Sequence, residues 1–402
     1  MSGQGVDRLH WTEPATVERV ATLVASILPP ALAPIFGPPF ARSHLIFDDY
    51  VHRLALDVVR AARLDAVLGD WSTAENVVAR AGLEPRRSLV PVDWLLRHLA
   101  ERGVLARDDA GPRVRLDGGL PVLDAAAPAG EQRTHDARCL PAFAVAETAA
   151  RDYPAFLRGE RTGEEVLFAP ARLSLWTGYF SNDNPLYAVN NRLGAVALET
   201  WLRPGPARIL ELGGGLGSGT AAALERLVAA GRIGDVESYR FTELVPAFLR
   251  RAERVKERFG APPFLTFAPL DMNRPFGEQG VAPASVSTVY AVNVLHVAHD
   301  LEFTLGEIRR VLEPGGQLIV SEGVRPTPGQ TMYPEFVFNL LETFRAPRLH
   351  PVWRPNGGFL TVEQWRAALE TAGFKDVRAM PDIARIRELF PTFYAGALGA
   401  VR

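Results

Sequence analysis

Residues 209–217 read Ile-Leu-Glu-Leu-Gly-Gly-Gly-Leu-Gly and are the most informative stretch of this chain. A short apolar run ends in an acidic residue, and a glycine-rich turn leads into an alanine-rich segment at 220–230. This pattern predicts a strand, a tight turn and the start of a helix, with bare backbone where a ligand must approach closely. The dinucleotide fingerprint G-x-G-x-x-G needs glycine or alanine at its last position. When the fingerprint is aligned from Gly213 or from Gly215, its last position falls on Ser218 or Thr220. When it is aligned from Gly214, its second glycine position falls on Leu216. A nicotinamide oxidoreductase is therefore disfavoured.

Composition limits the class of protein. The 402 residues predict two domains, and 47% hydrophobic with 22% charged residues is typical of a globular chain. A net charge of −2 gives no basic surplus for binding nucleic acid or an anionic membrane. Cys139 is the single cysteine, and the charged first residues lack a signal-peptide layout, so we expect a cytoplasmic protein. Five prolines interrupt the apolar run 20–40, which argues against a membrane helix.

The chain divides by pattern into three parts. We predict an N-terminal helical, winged-helix domain at 1–133, a helical linker and lid at 134–203, and an α/β domain at 204–402 with an insert at 325–358. Segment 118–131, rich in alanine, proline and glycine, is predicted to be a linker.

The N-terminal domain shows a winged-helix pattern. Predicted helices at 45–68, 73–81 and 92–102 precede a short hairpin within 104–116. The third helix is apolar rather than basic, so we expect a lid or a homodimer contact rather than DNA binding. The module resembles the N-terminal region of small-molecule O-methyltransferases.

The second half of the chain alternates strands and helices. This alternation predicts an α/β fold with a doubly wound, mostly parallel sheet. The predicted strands lie at 208–212, 238–242, 265–269, 288–294 and 317–321, and the helices at 220–230, 246–259 and 302–312. A last helix at 361–372 precedes strands 376–380 and 393–401, which we predict to form a hairpin at the sheet edge.

Polar residues stand where the predicted parallel strands end, and ligands of open parallel sheets bind outside the carboxyl ends of the strands. Glu211 and its glycine turn follow the first strand. Glu243 can accept both ribose hydroxyls of an adenosyl ligand, and Asp271 can accept from an adenine amino group beside the apolar Met272. Asn293 ends the fourth strand. We therefore predict an adenosyl-ligand site at this edge.

Four further stretches carry a family resemblance. Residues 239–249 (YRFTELVPAFL), 270–275 (LDMNRP), 293–296 (NVLH) and 312–316 (LEPGG) resemble the C-methyltransferase domains embedded in polyketide synthases. The turn at 211–217 resembles the S-adenosylmethionine (SAM) loop of class I methyltransferases. The family usually has aspartate where this chain has a glutamate after its second strand, and we expect the embedded domains to lack the winged-helix region. The resemblance implies SAM as cofactor, held by Glu211, Gly213, Gly215, Gly217, Glu243, Asp271, Met272 and Asn293.

The resemblance also implies a His–Glu pair, which maps onto His296 and Glu322. Methylation of a carbon between two carbonyls needs a base that accepts a proton near neutral pH, and a carboxylate on the other ring nitrogen fixes the tautomer. The leading hypothesis is therefore C-methylation of an acidic carbon in a polyketide-like or β-keto acyl substrate. The same base serves O-methylation of a small natural product. A non-catalytic partner protein, with His296 as a capping or core residue, is the third reading.

The substrate is expected to be a small molecule or an acyl group tethered to a carrier protein. The family comparison implies contacts from Tyr179, Tyr187 and Asn191, and part of the insert at 325–358 should act as a lid. His296, His299 and a carboxylate are a weak metal motif, and we favour a polar loop residue for His299.

Overall fold

A computed structural model describes residues 14–402 of the chain. The charged residues at 1–13, which bear on the signal-peptide argument and begin the predicted N-terminal domain, lie outside the described part. The helices are α1 Pro14–Ile27, α2 Pro38–Ala61, α3 Ala74–Arg80, α4 Pro85–Glu101, α5 Ala126–His135, α6 Leu140–Leu157, α7 Gly163–Leu167, α8 Leu173–Tyr179, α9 Pro185–Trp201, α10 Ser218–Ala229, α11 Pro246–Arg258, α12 Leu301–Val311, α13 Tyr333–Phe338, α14 Glu342–Arg345, α15 Val362–Thr371 and α16 Ile383–Leu389. The strands are β1 Ala106–Arg107, β2 Val114–Arg115, β3 Ala207–Leu212, β4 Val236–Thr242, β5 Leu265–Ala268, β6 Val286–Val292, β7 Leu312–Gly323, β8 Lys375–Met380 and β9 Ala395–Val401.

The second half of the chain forms the predicted α/β fold. One seven-stranded sheet has the order β5-β4-β3-β6-β7-β9-β8, in which β3 to β7 run parallel and β9 runs antiparallel to both β7 and β8. Strands β4 and β5 lie on one side of β3, and β6, the next strand along the chain, lies on its other side. Loops that leave β3 and β6 therefore diverge, and they open a crevice at the carboxyl edge of the sheet.

Two details of the sheet differ from the predictions. β7 begins at Leu312, earlier than predicted, because Leu312 pairs with Val286 before a shift in register carries the strand past its glycines. β8 and β9 pair antiparallel, but helix α16 connects them instead of a tight hairpin turn.

The N-terminal region has the predicted winged-helix arrangement, in which helices α2, α3 and α4 precede the antiparallel pair β1–β2. Helix α4 begins at Pro85, seven residues before the predicted start at 92. The Glu84 carboxylate caps it by accepting from the backbone N–H groups of Arg86 and Arg87. The helix then continues through Pro91, which a sequence pattern treats as a break.

Helix α5 occupies the second half of the predicted linker. It runs from Ala126 to His135 and crosses the predicted boundary between 133 and 134. The helix packs against α2 and α6, so the alanine-rich composition here reflects a helix contact rather than an unstructured connection.

The insert at 325–358 is packed between the two parts of the molecule. Its helix α13 contacts α2, α4 and α6 of the N-terminal half. At its centre the buried Arg325 and Glu335 form an ion pair with a nitrogen–oxygen distance of 2.5 Å. Glu335 also accepts from the Trp94 indole at 3.0 Å and from the Met332 backbone at 2.9 Å. These bonds join the insert to α4, so this part of the insert is a fixed wall.

Within residues 14–402, no helix is both long enough and apolar enough to span a membrane.

Replacing Glu335 with alanine is predicted to lower the free energy of unfolding by about 3–5 kcal/mol, because the Arg325 charge stays buried without its partner. Glu342→Ala is the matched control: its ion pair with Arg86 is mostly exposed, and its loss should cost less than about 1 kcal/mol. Urea unfolding followed by fluorescence measures both. Equal losses for the two variants would contradict a wall held by this buried pair.

Candidate active site

The glycines of the turn after β3 have two different roles. A Cβ atom built on Gly213, Gly214 or Gly217 would lie 2.3, 2.1 or 2.7 Å from a neighbouring side-chain atom, so close packing requires glycine there. Gly215 differs, because its Cβ would meet nothing within 4 Å while its φ is +59°. Gly215 therefore presents bare backbone to open space. The turn fits a ligand that approaches at this one residue.

Glu243 lies directly after β4 and supports the turn. One of its oxygens accepts the Gly215 N–H at 2.9 Å and the other accepts the Val245 N–H at 2.8 Å. Burial raises the pKa of this carboxyl, and the backbone N–H donors oppose that shift. Each oxygen retains a second lone pair, which is what acceptance from two ribose hydroxyls requires.

Glu211 is buried at the end of β3 and joins the turn to its surroundings. Its Oε2 accepts from the Thr220 hydroxyl at 2.5 Å and from the Tyr239 hydroxyl at 2.8 Å. Burial raises the pKa of Glu211 to about 7, although the two hydroxyls lower it. These contacts tie β3 to α10 and β4, and a contact from Glu211 to the cofactor remains a prediction.

The other predicted strand-end residues lie along the same edge. Asp271 follows β5, and its Oδ1 accepts the Asn273 N–H at 2.9 Å, while Met272 beside it packs partly into the core. Asn293 follows β6 with a φ of +51°, a conformation that asparagine tolerates better than most residues. Its Oδ1 accepts from Asn190 of α9 at 2.9 Å.

His296 and Glu322 meet as predicted. The Nδ1 atom of His296 lies 2.6 Å from Oε2 of Glu322, and both side chains are buried. The Oε1 atom of Glu322 accepts from the backbone N–H groups of Val294, Leu295 and His296 at 3.1, 2.8 and 3.3 Å. An ionised carboxylate only accepts, so Nδ1 donates and Nε2 is left as the acceptor of the ring. This is the arrangement of an oriented general base.

Two aromatic side chains and one arginine surround the dyad. Phe344 belongs to the aromatic residues of the insert that was expected to cover the site, whereas Phe359 and Arg354 were missed from the sequence. The Phe359 ring centroid lies 4.5 Å from that of His296, and the Phe344 centroid lies 5.7 Å away. Arg354 is fully buried and donates to the backbone carbonyls of His296 and Ala298 at 2.6 and 2.7 Å. Phe344 lies in the short helix α14, whereas Arg354 and Phe359 lie in the irregular segment between α14 and α15, where no periodicity marks a residue that folds back over the site.

The two predicted tyrosines lie together on the helical side. The ring centroids of Tyr179 and Tyr187 are 5.5 Å apart. Burial raises the pKa of Tyr187, and so do the negative charges of Glu211, Glu243 and Glu322. Tyr187 is thus near both the glycine turn and the dyad.

Asn191 has different surroundings from the tyrosines. It is buried, donates to Asn182 Oδ1 at 2.8 Å, and its own Oδ1 lies near Gly219 at the start of α10. Asn182 in turn donates to the Ser218 carbonyl at 2.8 Å, and Ser218 donates to the Phe180 carbonyl. These contacts place Asn191 beneath the glycine turn and the start of α10, which it supports. A substrate contact from it remains a prediction.

His299 is exposed, and its backbone bonds to Asn273 and Arg348. Among the described residues there is no group of three histidine, cysteine, aspartate or glutamate side chains that could hold a metal ion. Within residues 14–402, His296 and His299 therefore have no third side chain with which they could form a metal site.

Comparison with known proteins adds three findings. Residues 210–318 match the family described as a methyltransferase domain. The chain is 28% identical over 239 residues to the polyketide synthase PksM of Bacillus subtilis, which covers 58% of this chain and 5% of that protein. The chain spans less than a tenth of the length of the curated relatives it matches.

Solved structures show the same fold. The CurJ carbon methyltransferase superposes with a TM-score of 0.71 at 22% identity, and the match covers 97% of this chain and 99% of that one. The trans-methyltransferase CalH, in complex with SAH, gives a TM-score of 0.57 at 22% identity over 90% and 91% of the two chains. Because the CurJ match includes the N-terminal half, the expectation that such C-methyltransferases lack this region was wrong.

Gly215→Ala is predicted to raise the Kd for SAM at least tenfold, because the new methyl group occupies the space where the turn is open. Gly205→Ala is the matched control, since Gly205 also has a positive φ and open surroundings but precedes β3. It should lose stability through the same backbone strain and keep the Kd within twofold. Calorimetric titration with SAM measures both. Wild-type affinity in Gly215→Ala would contradict the turn as the cofactor cradle.

The strand order, the open glycine turn and the matched methyltransferase domain agree on one cofactor. The chain contains a methyltransferase domain at residues 210–318, has the fold of class I SAM-dependent methyltransferases, and resembles the C-methyltransferase domains of polyketide synthases.

Proposed function

We propose that this enzyme methylates the acidic carbon between the two carbonyls of a β-keto acyl, polyketide-like substrate, with His296 as general base and Glu322 as its orienting partner. One observation carries the proposal: the 2.6 Å contact between His296 Nδ1 and a buried carboxylate whose other oxygen holds three backbone N–H groups. Such a carboxylate cannot rotate without breaking several bonds, so the imidazole has one orientation.

The dyad suits removal of a proton from carbon. His296 Nε2 accepts the proton as the C–H bond breaks, and the electron pair is delocalised over the two carbonyls as an enolate. Glu322 stabilises the imidazolium that forms, because its negative charge lies against the opposite ring nitrogen. SAM, when bound, would supply its sulfonium methyl group to the enolate carbon, with the methyl–sulfur bond breaking as the new C–C bond forms and S-adenosylhomocysteine leaving with that electron pair. The proton then leaves His296 for solvent after each turnover.

The surroundings of the dyad favour carbon as the nucleophile. Phe344 and Phe359 pack against the His296 ring and keep water from it. Exclusion of water leaves the enolate without hydrogen-bond donors from solvent, and it strengthens the attraction between His296 and Glu322. An enolate reacts at carbon or oxygen according to which atom is aligned with the methyl group, so these walls also determine the product.

The nature of the relatives supports the substrate class. PksM is named as a polyketide synthase, and CalH as a trans-methyltransferase. We therefore propose an acyl thioester as the substrate, carried by a carrier protein or presented as a small molecule. A homodimer through the N-terminal domain remains a prediction.

Product analysis tests the proposed atom. The enzyme is incubated with deuterated-methyl SAM and a β-keto acyl thioester, and we expect one labelled methyl group on the carbon between the carbonyls, located by mass spectrometry and NMR. A phenolic natural product serves as the competing acceptor. A label found on oxygen, in either acceptor, would replace this proposal with O-methylation. No labelled product from either acceptor would favour the non-catalytic reading.

His296→Ala is predicted to lower kcat by about 10²–10⁴ while the Kd for SAM stays within twofold, because the variant loses the base and keeps the glycine turn. Glu322→Gln should lower kcat by a similar factor, since its amide N–H₂ cannot accept from Nδ1. The matched control is His299→Ala, which removes an exposed imidazole three residues away and should leave kcat unchanged. A His296→Ala enzyme with wild-type kcat would exclude the dyad as the base.

A further inference from the structure

A cavity of about 710 Å³ lies between the N-terminal helices, the insert and the residues before β9. Its volume is within the range of small-molecule sites. The lining combines apolar side chains with histidines, acids and hydroxyl groups. The lining residues that matter here are His44, Leu45, Asp48, His52, Tyr333 and Tyr394.

The histidines in the lining are neutral hydrogen-bonding groups. Burial lowers the pKa of both His44 and His52 to about 4, so neither carries a charge at neutral pH. The ring nitrogens of His44 contact the hydroxyl groups of Thr392 and Tyr333 at 3.0 and 3.3 Å. Within residues 14–402, Nδ1 of His52 is a buried atom without a hydrogen-bond partner.

The charged groups in the lining are largely engaged with the protein. Asp48 pairs with Arg102 at 2.5 Å and Asp49 with Arg53 at 2.9 Å. Glu101 accepts from the Thr331 hydroxyl at 2.6 Å. Three carboxylates against one arginine in the lining disfavour a phosphate or another anion in this cavity. The chemistry that remains is an uncharged chain with hydroxyl or amide groups along an apolar skeleton.

The far wall of the cavity adjoins the tyrosines near the dyad. The Tyr333 and Tyr394 rings lie 5.4 Å apart in the lining. The Tyr394 hydroxyl donates to the Leu186 carbonyl at 3.0 Å, one residue before Tyr187. The Tyr179 ring centroid lies 5.5 Å from that of Tyr187. The cavity lining is therefore bonded to helix α9 directly beside Tyr187, one of the residues predicted to contact the substrate.

We infer that this interdomain cavity binds one arm of the acyl thioester, an extended uncharged chain that carries hydroxyl or amide groups. The inference rests on the proposed function, because the dyad must hold the acidic carbon while the two arms of the thioester extend away from it. Two arms have this chemistry: the amide-bearing thiol arm and a hydroxylated acyl chain.

Binding of three β-keto thioesters, measured by calorimetry without SAM, tests the inference. Acetoacetyl-N-acetylcysteamine has two short arms, acetoacetyl-pantetheine has a long thiol arm, and 7-hydroxy-3-oxooctanoyl-N-acetylcysteamine has a long acyl arm. Leu45→Trp fills the cavity from α2. We expect it to raise the Kd of one long-armed ligand at least tenfold while the Kd of the short ligand stays within twofold. The ligand that is affected identifies the arm.

Gln330→Trp fills the cavity from the insert and should reproduce the result if Leu45→Trp does not fold. The matched control is Leu23→Trp, because Leu23 is half-exposed on α1 and absent from the lining. Thermal melting and SAM binding show that each variant is folded. Folded cavity variants that bind all three ligands like the wild type would overturn the inference. Turnover is measured separately, so arm-selective binding without methylation would uphold the cavity and contradict the proposed chemistry.

Discussion

A single buried carboxylate, that of Glu322, organises the carboxyl edge of the sheet beside the glycine turn. Burial of an ion is costly unless donors surround it, and here three backbone N–H groups saturate one oxygen while an imidazole meets the other. The backbone donors belong to the turn after β6, and the carboxylate belongs to β7. The pairing of these parallel strands therefore sets the position of His296, and its imidazole is held as rigidly as the sheet itself.

The glycines of the turn after β3 have two different roles: three allow close packing, and one leaves bare backbone facing open space. Gly213, Gly214 and Gly217 allow the turn to pack against neighbouring side chains, whereas Gly215 leaves open space. Glu243 holds that open residue by its backbone N–H. A fingerprint of alternating glycines therefore mixes residues needed for close packing with one that leaves open space beside the backbone, where we predict that the cofactor binds.

The N-terminal half completes the site by fixing its walls. The insert is joined to α4 through Glu335, and its aromatic residues reach the dyad from one side. On the other side, His44 contacts residues of both the insert and the segment before β9. The winged-helix region thus packs against the insert beside the sheet and forms one wall of the adjacent cavity. Its apolar third helix faces the insert.

The sequence by itself determined the α/β fold, the order of its elements and the residues at the strand ends, because strand and helix periods and glycine turns are local signals. His296 and Glu322 were predictable because parallel strands place their carboxyl ends together. Only the tertiary structure decided that Arg354 and Phe359 close the dyad, that α4 continues through Pro91, and that Asn191 lies beneath the cofactor turn. It also created the interdomain cavity. The walls of the dyad, the place of Asn191 and the cavity depend on contacts between residues far apart in the chain, and such contacts leave no periodic pattern in the sequence.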